Sequence, residues 1–320
     1  MRVTTKSWRL TAAIAAMALA ATACGGDDAE PADEGTDTEE TDTEETDTEE
    51  PDTEDTEGDA AGGAPEFEAG STMAEIQEAG VMRVGVKYDQ PLFGVNTPSG
   101  VEGFDAEIAA LIAEGIFGPD FDVETNIEWS EAVSAVREEI LEQDQVDLVA
   151  ATYTINDERK ERVGFAGPYY VAGQDIMVEE GNPESIMGVD DLNGQPVCSV
   201  EGSTSIDNLR EMAADADVVA FDTYSACAEE LSQGNVTAVT TDNVILIGLI
   251  DERSEFELVD NPFTEEPYGL GVQLDADDFR SFVNDRLEEI YESGEWAEAW
   301  ESTAGQVTGN TPEPPEVDRY

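Results

Sequence analysis

This sequence of 320 residues predicts an α/β fold built as two lobes, on two observations. Short apolar runs rich in Val and Ile alternate with stretches of helical period, the pattern of sheets with many parallel strands covered by helices. That alternation breaks twice, at residues 168–173 and 261–267, each time between complete strand–helix sets. Such a chain leaves one domain, builds a second and returns, so two segments cross between lobes and form a hinge. A ligand site is then expected in the cleft, where loops at the carboxyl ends of both sheets face each other.

Residues 1–23 precede the fold. Arg2, Lys6 and Arg9 lead into an apolar run over 10–21 and a small-residue stretch ending at Cys24. The run is too short to span a bilayer and has the layout of a secretory signal peptide, so export is expected. Ala21, Thr22, Ala23 and Cys24 resemble a lipoprotein cleavage box, with Ala21 standing where Leu is usual. Lipid on Cys24 would anchor the chain to the outer face of the cell membrane; the alternatives are a plain signal peptide or a free thiol. Residues 24–66, built on TDTEE repeats with no Lys or Arg and almost nothing apolar, predict an extended, self-repelling tether.

The first lobe is expected over residues 67–170 and 268–307. It opens on a strand over 81–87 and a helix over 104–116 with Ile108, Leu111, Ile112 and Ile116 on one face. A strand near 123–128, a helix over 130–141 and a strand over 146–149 follow. The second lobe, residues 171–267, has strands over 197–200 and 218–221, helices over 205–214 and 226–232, and apolar runs over 236–240 and 244–250. The return is a strand over 269–274 and a long amphipathic helix through Phe279, Phe282, Val283, Leu287, Ile290 and Tyr291. Residues 308–320, rich in Pro and Glu, are expected to form a flexible tail.

Composition narrows the function. The net charge is −62, and residues 67–320 hold 11 basic against 56 acidic residues, a net of −45. Phosphates would be repelled, which argues against nucleic acid as a partner. Abundant acids and scarce Lys fit a surface adapted to concentrated salt. There is no His, which removes Ser-His-Asp and Cys-His catalysis and the commonest metal ligand, and no cofactor or metal is expected. Beyond Cys24, Cys198 and Cys227 are expected to form a disulfide in an oxidising compartment, with a redox or nucleophilic role as the alternative.

The segment AATYTINDERK, residues 150–160, follows the buried strand over 146–149. Asn156 is a good N-cap for the turn carrying Arg159. Thr152 and Thr154 offer hydroxyls, the turn offers N–H groups, and Arg159 offers a planar fork matched to two oxygens, so a carboxylate can sit there. The alternative is an Arg paired with a neighbouring acid.

As a set, RVGVKYDQPLFG from Arg83, GFDAEIA from Gly103, VDLVAATYTINDERKERVGFAGPYY from Val146, GST from Gly202 and AVTTDNVIL from Ala238 resemble the extracellular solute-binding proteins, family 3, of polar amino-acid ABC transporters. Within these the chain is most similar to actinobacterial glutamate-binding lipoproteins. The resemblance implies a periplasmic-binding-protein-like fold, two mixed sheets flanked by helices and joined by a two-segment hinge, that closes over one amino acid and docks on a membrane permease. It implies that Arg159 grips the ligand α-carboxylate with Thr154 and Thr204, the latter at a helix N-terminus. Asp242 would receive the α-ammonium, or cap the helix from Asn243, or do both. Lys87 stands where binders of basic amino acids carry an acid and would favour L-glutamate or L-aspartate, unless it pairs with Asp89 or Asp105. Arg137 aligns with a second contact to the ligand side chain, the alternative being an exposed helical ion pair. Tyr88 and Tyr153 would be aromatic walls or core.

The expected function is non-enzymatic capture of an acidic amino acid. A glutamine or asparagine binder is one alternative and a sensing module another. A dehydratase-like enzyme on the same fold would need a general acid or base, and the cleft segments offer only Asp242 and Glu201.

Overall fold

The computed structural model describes residues 63–320; the signal peptide, Cys24 and nearly all of the tether lie outside the described residues. In chain order the first part comprises α1 (Thr72–Ala79), β1 (Met82–Val86), β2 (Asp89–Gln90), β3 (Gly94–Thr97), β4 (Gly100–Glu102), α2 (Phe104–Phe117), α3 (Val123–Asn126), β5 (Ile127–Glu131), α4 (Arg137–Glu142), β6 (Leu148–Ala150), α5 (Asp157–Lys160) and β7 (Val163–Ala172). The second part comprises β8 (Gln174–Glu179), β9 (Pro196–Val200), α6 (Thr204–Met212), β10 (Asp217–Phe221), α7 (Tyr224–Ser232), β11 (Ala238–Asp242), α8 (Asn243–Glu252) and β12 (Phe256–Leu258). The chain then returns through β13 (Glu266–Gln273), α9 (Asp277–Ser293), α10 (Glu295–Ser302) and α11 (Gly305–Thr308).

Two five-stranded mixed sheets result. The first runs β5-β1-β6-β13-β7, with β5, β1 and β6 parallel and β13 antiparallel to its neighbours. The second runs β10-β9-β11-β8-β12, with β10, β9 and β11 parallel and β8 antiparallel to β11 and β12. The chain crosses between sheets at Gly173 and returns over residues 259–265. The two crossings run side by side: Glu266 pairs with Ala172, Phe263 N donates to Gln174 O at 2.9 Å, and Gln174 N donates to Thr264 Oγ1 at 3.0 Å.

The first core gathers the apolar faces of α2 and α9 with Trp296 and Trp300 of α10, whose rings stack 5.9 Å apart. Gly103 before α2 is required by space as well as by its φ of 123°, since a Cβ there would lie 2.4 Å from the Phe93 carbonyl. The second core sits under β9 and β11, where Cys198 and Cys227 form the expected disulfide, tying β9 to α7 across a separation of 29 residues.

Four expectations change. Residues 123–126 are helical rather than extended, because the Asp122 side chain accepts from the backbone N–H of Glu124 and Thr125 and caps a turn. The helix expected from residue 130 begins at Arg137, since Ser130 and Glu131 are taken by pairing with Gly85 and Val86. The break at 168–173 falls largely inside β7, which continues through a cis Gly167–Pro168 bond. The tail is held along β7, the edge strand of the first sheet: Asp318 N donates to Gly167 O at 2.8 Å and Phe165 N to Tyr320 Oη at 2.7 Å. Lys160 sits 4.0 Å from the Tyr320 ring centroid. Pro and Glu content is blind to such tertiary partners.

Candidate functional site

The carboxyl ends of β1 and β6 deliver Lys87 and the 151–156 loop to the cleft. Lys87 is 1% exposed and its Nζ donates to Ser134 Oγ at 2.9 Å. Burial, reinforced by the Arg137 charge, pushes its ammonium down to about 7. No carboxylate lies within 4.0 Å of it among the described residues, so the alternative ion pairs do not form. Asp89 instead accepts from Tyr224 N at 3.0 Å and Ser225 N at 3.4 Å at the start of α7, across the cleft. Asp105 accepts from Thr152 N at 2.8 Å and from the Tyr169 hydroxyl at 2.5 Å.

Thr152 has φ of +44°, a strained backbone for a β-branched residue. The strain is held from both sides: Asp105 takes its N–H, and its carbonyl accepts from Arg137 Nη1 at 3.2 Å. Its hydroxyl donates to Gln90 Oε1 at 2.9 Å.

Arg137 is buried, not exposed as the helical ion-pair alternative required. Its Nη1 also donates to Ala151 O at 2.9 Å, its Nε to Ser134 O at 3.3 Å, and its Nη2 reaches Gly202 O at 3.5 Å. Desolvation, with Arg159 nearby, pushes it down to about 10. The Tyr153 ring lies against both arginines, 4.3 Å from the Arg137 and 5.0 Å from the Arg159 guanidinium carbon, so it backs the cations.

From the second sheet, β11 ends at Asp242. Although Asp242 occupies the N-cap position of α8, its side chain makes no cap hydrogen bond. Its Oδ2 accepts from Tyr268 Oη at 2.6 Å, while Oδ1 is buried with no partner. Burial and the neighbouring Glu266 charge push the carboxyl up to about 7. At the start of α6, Ser203 caps the helix by accepting from Ile206 N at 3.1 Å, which leaves the Thr204 and Ser205 N–H groups without intrahelical partners. Thr204 Oγ1 donates to Glu266 Oε2 at 2.8 Å and lies 3.5 Å from Thr154 Oγ1.

These groups close around a cavity of about 10 Å³, room for about one water molecule in this shut form. Ser134, Arg137, Thr152 and Thr154 line one wall, and Ser203, Thr204, Ser205, Tyr224, Asp242 and Ile245 the other. An orphaned carboxylate oxygen, a guanidinium, several hydroxyls and a helix N-terminus suit a small zwitterion, since burying one of its charges without a partner costs several kcal/mol.

Of the residues expected from sequence, Arg137, Thr152, Thr154, Thr204 and Asp242 meet at this cavity. Lys87 stands behind Ser134. Arg159 lies further out, lining the cleft mouth with Glu138, Asn156 and Gly202. Its Nη1 donates to Thr154 O at 2.7 Å, its Nη2 to Gly202 O at 3.1 Å, and its Nε sits 3.3 Å from Glu138 Oε1. Tyr88 is half-buried and does not line the cavity. Ser134, Ser205, Tyr224 and Tyr268 had no sequence signal; Ser203, one residue before an amphipathic helix, had one as an N-cap. Among the described residues there is no group of His, Cys, Asp or Glu arranged to hold a metal, and no helix long and apolar enough to cross a membrane.

Comparison with known proteins places this geometry. Residues 82–304 match the bacterial extracellular solute-binding proteins, family 3. The chain is 37% identical over 237 residues to the glutamate-binding protein GluB of Corynebacterium efficiens, covering 72% of this chain and 80% of that one. It is 37% identical over 232 residues to the ABC transporter glutamine-binding protein GlnH of Bacillus subtilis, covering 72% and 83%. The crystal structure of the solute receptor for L-cysteine of Neisseria gonorrhoeae superposes with a TM-score of 0.71 at 28% identity, over 78% of this chain and 100% of that one. With two mixed sheets, a double crossing and a polar cavity between them, this chain belongs to the bacterial extracellular solute-binding proteins, family 3.

Proposed function

We propose that the protein captures an acidic amino acid, L-glutamate or L-aspartate, by closing its two lobes and delivers it to the permease of an ABC importer, held at the membrane by lipid on Cys24. The observation that carries this reading is Asp242 Oδ1, buried, unpaired and facing the same cavity as Arg137. An α-ammonium supplies the missing partner. Arg137 and the N-terminus of α6 answer to carboxylates, and Lys87, one residue behind the wall, gives that end of the cavity a second positive charge. The glutamate-binding relative supports the ligand class.

Thermal unfolding with a panel of amino acids tests it. At a ligand concentration of a hundred times Kd the bound form gains about 2.7 kcal/mol, so L-glutamate or L-aspartate should raise the midpoint by several degrees and lysine or arginine should not. A glutamine-only response would move the protein to the amide-binding reading that the GlnH relative supports, and a larger shift with arginine would overturn the acidic-ligand reading.

A further inference from the structure

We infer that Glu266 is a second anion behind the cavity wall, standing with Asp242 on the side that receives the α-ammonium, and that it makes the site select amino acids over dicarboxylates lacking that group. The inference rests on the amino-acid reading above and adds a specificity residue to it.

Glu266 opens β13, where the returning chain pairs with Ala172. It is 3% exposed, yet among the described residues its carboxylate is held by neutral donors alone. Oε2 accepts from Thr204 Oγ1 at 2.8 Å, and Oε1 accepts from Thr264 Oγ1 at 2.8 Å and Asn208 Nδ2 at 3.1 Å. Fastening α6 to the crossing in this way needs hydrogen bonds only, and a glutamine can supply those. The charge is the surplus feature. Hydroxyls and an amide satisfy its lone pairs without cancelling it, so its field reaches past them.

Thr204 lines the cavity, which puts Glu266 one hydrogen bond behind the wall. Residues two apart in a strand share a face, and Tyr268, two residues on, donates to Asp242 Oδ2 at 2.6 Å. The two acids therefore stand on one side of the cavity, and Glu266 adds to burial in pushing the Asp242 carboxyl up. Asp242 is faced besides by Tyr268, Tyr224 and Tyr170, whose hydroxyls are pushed up and stay neutral, and by the cations Arg137 and Arg159. An α-ammonium entering there is attracted by both acids and pairs with Asp242 Oδ1, which has no other partner. A dicarboxylate without the ammonium leaves that oxygen orphaned and brings only negative charge toward two acids. Glutarate, which is glutamate with hydrogen in place of the α-amino group, isolates this difference.

Calorimetric titration of the full exported chain with L-glutamate and glutarate tests this in the wild type, Glu266→Gln and Glu266→Asp. The wild type should bind glutarate at least about a hundredfold more weakly than glutamate. Glu266→Gln should narrow that gap about tenfold, and Glu266→Asp, which keeps the charge, should hold most of it. In Glu266→Gln the acid-side fall in glutamate affinity should also begin at lower pH, because Asp242 loses a neighbour that pushes its carboxyl up; a residue that merely fastened α6 would not move it. A gap within about twofold of wild type, or both ligands weakened by one factor, overturns the inference while the acidic-ligand reading stands. So does a wild type that binds both equally. Glutamine-only binding overturns the acidic-ligand reading and moves the comparison to glutamine and glutaramate, its form without the α-amino group. A protein that binds no amino acid overturns both. Far-ultraviolet circular dichroism and unliganded midpoints identify a misfolded variant; should Glu266→Gln be one, Glu266→Asp carries the test, and a gap narrowed about tenfold there overturns the inference.

Discussion

Asp242 and Lys87 both titrate near neutrality in the empty cleft, each carried there by burial, and their effects on affinity have opposite sign. Asp242, pushed up to about 7 with Glu266 nearby, must be ionised to receive an ammonium. Binding lowers its pKa, so affinity is full above about 7 and falls by up to tenfold per pH unit below it. Lys87, at about 7 among Arg137, Asp89, Asp105 and Arg159, must be protonated to favour a ligand carboxylate. Its contribution is full below about 7 and lost above. Asp105, pushed up to about 7 by the same burial, ionises in that range and partly offsets the Lys87 limb. Glutamate affinity should therefore peak near neutrality and decline on both sides, whereas glutamine should decline only on the acid side. Calorimetry of both ligands between about pH 5 and pH 9 reads this directly, and a glutamate profile flat above neutrality would remove Lys87 from the site. At this scale the sequence was informative for charged residues, because Arg159 and Asp242 sit in recognisable motifs. It was silent on Ser134 and Tyr268, whose roles come from what tertiary packing sets beside them. Arg159 shows the intermediate case: its turn and Asn156 cap were legible, with Arg159 N donating to Asn156 Oδ1 at 2.9 Å, but its pairing with Glu138 depends on where α4 lies.

The element that best exposes closure is α8. A Cβ on Gly248 would stand 2.4 Å from Pro91 O, and one on Gly202 would stand 2.6 Å from Ala135 Cα. Both contacts join the second sheet's elements to the first lobe, so a side chain at either position would push against the shut form. Gly248 lies inside α8 at no positive φ, so in an open molecule Gly248→Ala should favour the helix by about 0.5–1 kcal/mol. The expected outcome is a split: the unliganded midpoint rises or holds, while ligand affinity falls at least tenfold because a backbone carbonyl cannot yield as a side chain can. Paired thermal melts with and without ligand measure it; unchanged affinity would mean that the shut form is not the binding form. Gly202→Ala should weaken binding similarly but without the helix gain, since φ is +75° there. Most elements were legible from periodicity because their apolar faces are buried, as in α9, where Phe279, Val283, Leu287 and Ile290 line the core. The misreadings fell where capping and pairing outweighed periodicity: Asp122 turned 123–126 into a helix, and the β1–β5 register claimed Ser130 and Glu131.

Across the whole molecule the acidic surface and the acidic ligand are at odds. Residues 67–320 carry a net charge of −45. The surface ion pairs, from Arg83 with Asp144 and Asp147 to Arg319 with Asp285 and Glu288, leave a large surplus of acids without a cation. That surplus repels itself, so screening should favour the folded chain, and the unfolding midpoint should climb between about 0.05 and 1 M NaCl as the Debye length shrinks from over 10 Å to about 3 Å. The same field acts on encounter. An anionic amino acid approaching from bulk meets negative potential until it is within reach of Arg159 at the mouth, itself paired with Glu138, and Arg137 inside. Outside the cleft the field of the whole domain governs; inside, the few buried cations do, and salt penetrates there poorly. Raising salt should therefore accelerate glutamate association, several-fold over that range, while leaving dissociation nearly unchanged, so that affinity improves. Stopped-flow fluorescence at stepped NaCl concentrations separates the two rates. If association instead slows with salt, the cleft cations steer the ligand over the global field, and the acidic surface plays no part in capture.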